Sequence, residues 1–341
     1  MKIMRSSIMD TVEDSIFAND ANLIHIENTS FNNAKYINNY NVNDFSLVNC
    51  DLNNTGVFGE FEFYVIQNNN FSRFQDETLF INSNFGKIVD NNFLHIDEIF
   101  MISGICWINS NYMQNCTSIG TIIGKDCNIS DNKIMDCNNG FLLQTNSSKI
   151  NGNIISNITN TGIHLKSLHD YGGNNKISEN HINYCNVGLV IEDSIGNNII
   201  FLNIFNNCDN YSIFVDRNSS VTTQVYRNQF IKNKNTTNSL CYDDSGINWF
   251  QNKTGNYWAN HLIRYPYSIP TSEGYWNVSY VIQGSGNSED KYPLTNIIPD
   301  TNNPVIYDYS LNVSYTGSTY WFNFSIEDDL FYSNMYIKNI S

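Results

Sequence analysis

The chain has 341 residues, with 18 basic side chains against 33 acidic ones and a formal net charge of −15. That surplus leaves no electrostatic case for nucleic acid as a partner. No apolar run reaches about 18 residues, so no segment is expected to insert in a membrane, and the regular apolar spacing argues against disorder.

Residues 1–30 are weakly patterned. Met1–Asn19 lacks a basic-then-apolar secretion signal with a small-residue cleavage site. Leu23, Ile24 and Ile26 supply a first strand. No amphipathic capping segment precedes it, and an uncapped solenoid would expose its core, so upstream coils are expected. From Tyr36 to Val65 apolar residues alternate, as in Phe45–Val48 and Phe61–Val65. Asn70–Phe71 and Asn92–Leu94 read as turn-and-strand repeats.

Between Asn111 and Asn233 one short sentence recurs. Its leading residues are Asn111, Asn132, Asn153, Asn180, Asn203 and Asn228, in steps of 21, 21, 27, 23 and 25. Each is followed by an apolar residue two places on and, in all but the last copy, by Cys or Ile five places on. Most copies then carry Gly and an alternating apolar run, as in Asn132, Ile134, Cys137, Gly140, Phe141, Leu143. The period within a copy is two, which means strands, and the period between copies is that of a solenoid. The fold class expected is all-β, a right-handed single-stranded parallel β-helix in which one repeat is one coil. Equivalent strands then stack about 4.8 Å apart, and nine or ten coils make a rod of about 45 Å. The leading Asn residues suit a turn at positive φ.

Cys116, Cys137, Cys185 and Cys208, with Ile158 in the odd coil, fall at one place in the repeat, and Cys106 and Cys127 at another. Parallel stacking aims such side chains alike, whereas a disulfide needs them to converge. A reduced, buried ladder is expected. No C-x-x-C pair offers zinc spacing, and no metal site is assigned. Cys50 and Cys241 fall outside this scheme.

Two stretches break the coil. Lys166–Asn175 lengthens one repeat, and insertions in a solenoid map to loops on one face. Asn233–Ser245 is polar and marks the end of the rod, so residues 1–240 form the β-helix. Residues 241–297 then form a last coil and cap, where Trp249, Phe250, Tyr257, Trp258, Tyr275 and Trp276 can cover the open end.

Thr254-Gly255-Asn256-Tyr257-Trp258, then Tyr280–Gly284 and Asp290-Lys291-Tyr292-Pro293-Leu294, resemble the closing coil of the NosD-like (CASH) family of pectin-lyase-like β-helix proteins. The match covers residues 254–294, and the coils of 111–233 agree with it. The family's acidic, Gly-rich loop reads here Pro270–Gly274, so any calcium held there by relatives is expected to be lost. The resemblance implies an exported surface protein of archaeal type. Copper binding, which the family name suggests, lacks the Met and His residues it would need.

Residues 298–341 carry alternating stretches at Val305–Leu311, Thr319–Ile326 and Met335–Ile340. They open an immunoglobulin- or fibronectin-like sandwich, which needs about seven strands, so a truncated domain of a longer protein is expected.

The residues after each Gly-led strand share one edge: Gln144, Lys166, Glu192 with Asp193, and Asp216 with Arg217. Lys166, Glu192 and Asp216 form the candidate catalytic set, since β-helix lyases and hydrolases use carboxylates, a basic residue and sometimes calcium. His164 stands beside this edge. His169, Asp170, Tyr171, Glu192, Asp193, Asp216 and Arg217 form the candidate binding set. The plain alternative is a solvated ladder of alternating charge. Asp243-Asp244 and Glu327-Asp328-Asp329 read as solvated loop ends. Around fifteen Asn-x-Ser/Thr triplets weakly favour glycosylated export.

Three functions follow. One is an uncatalytic, adhesin-like surface module that binds a polysaccharide or cell-wall glycan through aromatic rings and amides. The second is a polysaccharide lyase, hydrolase or epimerase. The third is periplasmic copper delivery.

Overall fold

The computed structural model describes residues 1–9, 15–166, 173–194, 196–233, 239–297, 305–308 and 324–327. The chain divides into two units, Met1–Asn296 and Ile297–Ser341.

The first unit is a parallel β-helix. Strand after strand pairs in parallel with its counterpart one coil on, from Ile3 opposite Ile26 to Phe230 opposite Trp258. The winding starts earlier than Leu23, because Ile3, Ile8 and Ile16 already face Ile26, Phe31 and Ile37. Pairing also continues past the polar stretch, where Cys241–Asp243 lies along Ile213–Val215. Isoleucine fills most of the interior, and Ile108, Ile129, Ile150, Ile177 and Ile200 make one continuous file of buried side chains. Each such side chain contributes about 1.5–3 kcal/mol through burial.

The corners set this winding. The leading asparagines do not occupy positive φ; the residue before each does, as at Ser110, Asp131, Gly152, Glu179, Leu202 and Arg227. That left-handed residue swings the chain round, so the Asn after it points into the tube. Asn69, Asn91, Asn111, Asn132, Asn153, Asn180, Asn203, Asn228 and Asn256 form one buried column. Each member up to Asn228 donates its backbone N–H and its Nδ2 to the Oδ1 of the next, at 2.8–3.1 Å. Nδ2 also reaches a carbonyl in an earlier coil, as Asn153 does to Ile129 at 2.9 Å. An amide has donors and an acceptor on one short stem, so it can relay the bond where an apolar side chain would orphan the corner. Cys50 stands at the head of this column, its N–H 2.8 Å from Asn69 Oδ1.

The cysteine column obeys the same rule. Asn115, Asp136, Asn157, Tyr184 and Asn207 take positive φ, and Cys116, Cys137, Ile158, Cys185 and Cys208 follow them inward. Successive coils bond here, from Asn138 N to Cys116 O, Thr159 N to Cys137 O, and Asp209 N to Cys185 O. The thiols of Cys116, Cys137 and Cys185 donate to the carbonyl two residues back, at 3.1–3.4 Å. Thr29 and Ser148 do the same with hydroxyls. The cysteines therefore satisfy corner carbonyls as well as filling space. All eight cysteines are free and buried. Cys106 and Cys127 stack in adjacent coils, since Trp107 pairs with Asn128. Cys241 belongs to a different file, behind Ile213.

At the far end Phe230 stacks on Trp258 at 4.3 Å and Trp258 on Tyr280 at 3.9 Å. Trp249 and Trp258 are buried, while Phe250, Tyr275 and Trp276 lie half-buried around them. Tyr280 is the added member of this lid. Asp243 is not a solvated loop end: it is buried, and its carboxylate accepts from the N–H groups of Ser245, Gly246 and Ile247 and from the Trp249 indole at 2.8–3.0 Å. These donors take the place of the water expected around a loop-end carboxylate.

In the second unit Val305–Asp308 pairs antiparallel with Phe324–Glu327. The expected strand Met335–Ile340 and the acidic residues Asp328 and Asp329 lie outside the described residues.

Candidate functional site

Register brings residues far apart in sequence into files along one outer face of the rod. One file begins with Asn38, Phe58, Phe80 and Met101. It continues through Thr121, Leu142, His164, Val190, Phe214 and Tyr242. A second file, two residues on along each strand, runs Glu60, Asn82, Ser103, Ile123 and Gln144, then Lys166 and Glu192. Side chains alternate across a strand, so both files point outward over the same buried row.

The edge expected from the sequence lies in the later coils. Lys166 and Glu192 are register partners, and Nζ stands 2.8 Å from Glu192 Oε1. His164 Nε2 lies 2.7 Å from Oε2 of the same carboxylate. The hydrogen bond from Lys166, with His164 adding to it, holds the Glu192 carboxyl below its ordinary range. The same bond raises Lys166 above the usual ammonium value. Asp216 Oδ1 accepts from Asp193 N at 3.1 Å and from the Ser219 hydroxyl at 2.7 Å. Asp193 accepts from Asn218 Nδ2 at 2.9 Å. Arg217 is exposed, and its charge helps to hold Asp244 low, after the backbone and hydroxyl of Ser285. The structure thus joins Lys166 to Glu192 and gives Asp216 partners of its own. His169, Asp170 and Tyr171 lie outside the described residues. Gln144 falls in the coil before Lys166 and is buried.

An ionised, doubly paired Glu192 is a poor general acid, and Asp216 already spends one oxygen on internal donors. Beside this edge Phe214 stacks on Tyr242 at 5.1 Å with Tyr211 against both, making a half-buried aromatic group. Among the described residues no three His, Cys, Asp or Glu side chains converge as a metal site requires. None of their helices is long and apolar enough to cross a membrane.

The earlier coils hold a feature that sequence reasoning missed. Between the two files runs a trough of about 400 Å³. Phe58, Phe80 and Met101 form its apolar wall, Glu60, Asn82 and Ser103 its polar wall, and Tyr40 lies at one end. A smaller hollow of about 270 Å³ shares Glu60 and Asn82 and adds Asn41, Asn43, Glu62 and Asn84. The available signal was register alone: Phe58, Phe80 and Met101 each follow a buried apolar residue in successive coils.

Comparison with known proteins gives one match. A family model described as the right handed beta helix region matches residues 120–261. No curated protein and no solved structure matches the chain.

Proposed function

We propose that this chain is a non-catalytic glycan-binding β-helix module, adhesin-like and displayed at the cell surface. The solenoid and the family match support a place in the pectin-lyase-like superfamily. The binding reading rests on one observation: an outer face whose files set rings, exposed at Phe80 and half-buried at Phe58, Phe214 and Tyr242, beside amides and carboxylates. A pyranose has an apolar C–H face and a hydroxyl edge, and such a surface meets both. Rigid aromatics contribute contact area at little entropic cost, which suits a repeating ligand. The internal pairing of Glu192 and Asp216 favours binding over turnover. The reading needs no cofactor and does not call on calcium.

The test is affinity electrophoresis of the full chain through gels carrying a panel of neutral, anionic and cationic polysaccharides. Products are assayed in parallel for unsaturated and reducing ends. Retardation by at least one polymer, without new ends, is the expected result. New ends abolished by Glu192→Gln would replace this reading with the lyase, hydrolase or epimerase one. Loss of all retardation would remove the glycan. Heat on titration with Cu(I) would favour copper delivery instead. Fractionation of the source cells tests the surface location.

A further inference from the structure

The trough between the two files differs from the later edge in its charge. Among the described residues that line it or the adjoining hollow, none is Lys or Arg, while Glu60 and Glu62 are present. The later edge by contrast mixes Lys166, Arg217, Glu192 and Asp216. The trough is within the range of about 300–1,000 Å³ typical of small-molecule sites. Phe80 in its apolar wall is 41% and Tyr40 at its end 44% exposed, while Phe58 and Met101 are half-buried. Phe58 and Phe80 stack with ring centroids 5.3 Å apart and planes 10° apart, so the wall is one ordered apolar strip. From Phe58 to Met101 it spans two coil spacings, about 10 Å, along the axis of the rod.

We infer that this trough is the principal subsite and takes an uncharged linear glycan laid along the rod axis. The inference rests on the glycan-binding reading and narrows it. The ring edges of Phe58 and Phe80 and the side chain of Met101 lie along the C–H faces of successive sugar units. Asn82, Ser103 and Glu60 exchange hydrogen bonds with hydroxyls on the opposite edge, the carboxylate accepting and the amide doing both. A uronate polymer would bring its own carboxylates against Glu60 and Glu62 with no cation to offset them, so polyanionic chains are rejected. Tyr40 closes one end. Ile123 lines the end nearer the later coils, the direction in which the ligand would extend.

Affinity electrophoresis of the full chain tests this with three probes: a galactomannan, polygalacturonate and chitosan. The galactomannan should retard the native chain and polygalacturonate should not. Phe80→Ala and Tyr40→Ala should each weaken retention by about tenfold or more, while thermal melts fall only slightly, Phe80 losing its stack on Phe58 and Tyr40 its contact with Phe17. Tyr267→Ala, exposed in the cap and outside both files, should leave retention within about twofold. Preference for polygalacturonate or chitosan overturns the neutral ligand but keeps a glycan module. Retention of the galactomannan unchanged by Phe80→Ala and Tyr40→Ala together overturns the trough and moves the site elsewhere on the rod. No retention by any probe overturns both readings.

Discussion

The backbone N–H of Asn256 lies 2.7 Å from Asp290 Oδ2, so a carboxylate receives the bond that the next amide of the column would have taken. The Trp258 indole donates to the same oxygen at 2.8 Å, and Tyr292 N reaches Oδ1 at 3.0 Å. The Gly-Asn-Tyr-Trp and Asp-Lys-Tyr-Pro-Leu stretches, distant in sequence, therefore meet in one buried knot.

That knot carries a pH dependence. Burial, outweighing the N–H donors, raises the Asp290 carboxyl from 3.8 to about 7. The folded state then holds its proton more tightly than the unfolded chain does. This contribution to stability is complete below about pH 4 and is lost as pH rises toward 7. The expected loss is on the order of a few kcal/mol. Thermal denaturation from pH 4 to 8 should show it, and Asp290→Asn should flatten the slope.

Gly255 makes the knot possible by lacking a side chain. A Cβ there would lie 1.9 Å from Asp290 Oδ1. Gly255→Ala should cost about 1–3 kcal/mol as overpacking, read as a lower urea midpoint. Gly274 is the informative contrast. A Cβ on it would meet nothing within 4 Å, but φ is +87°, so Gly274→Ala should cost about 1 kcal/mol of backbone strain alone.

Interrupting the amide column should be expensive. Asn153 Oδ1 serves both Asn132 N and Asn132 Nδ2, and its own Nδ2 serves Ile129 O and Asn180 Oδ1. Asn153→Ala orphans several buried groups at once, at about 1–3 kcal/mol for each. Denaturant titration should place it several kcal/mol below the native chain. The exposed amide pair Asn160 and Asn139, 3.0 Å apart, supplies the control, because Asn160→Ala should shift stability by about 0.5 kcal/mol or less.

The thiols should be silent. Burial pushes Cys185 and Cys241 well above the usual thiol range and Cys208 up to about 12. Hydrogen bonds from Cys106 and Cys116 draw Cys127 and Cys137 down instead, but these two are buried like the rest. A disulfide reagent should therefore label none of the eight cysteines in the native chain and all of them in denaturant. Cys137→Ser should be nearly neutral, since a hydroxyl can also reach the Met135 carbonyl that the thiol meets at 3.1 Å.

Lys166 and Glu192 are each about one third exposed, so solvent screens their pair. Glu192 is depressed, and its contribution is present at neutral pH and lost as pH falls through its folded value. Glu192→Gln should cost about 1 kcal/mol or less by thermal melt. It should leave galactomannan retention unchanged.

The winding was legible because one buried residue per coil repeats at a fixed place, and Cys116, Cys137, Cys185 and Cys208 kept that place. Which corner residue faces inward was not legible. Asn tolerates positive φ, so propensity put Asn132 in the turn, while the need to relay a buried hydrogen bond put Asp131 there instead. Asp243 was misplaced because a charge reads as solvated until the four N–H groups around it are known. The trough was hidden for another reason. Asn38, Phe58, Phe80 and Met101 keep no one residue type from coil to coil, and irregular pairing between Asn32 and Lys35 and between Asn39 and Val42 blurs the period.

Once ionised, the Asp290 carboxylate can accept but has nothing to pass on. Once Asp290 takes the bond from Asn256, a further turn wound beyond it would find no donor waiting at that corner. The amide file is thus directional, like a sentence that admits clauses between its words but none after its full stop. Whole coils can be spliced among Asn69 to Asn228, and the step of 27 residues between Asn153 and Asn180 shows how much slack one clause can hold.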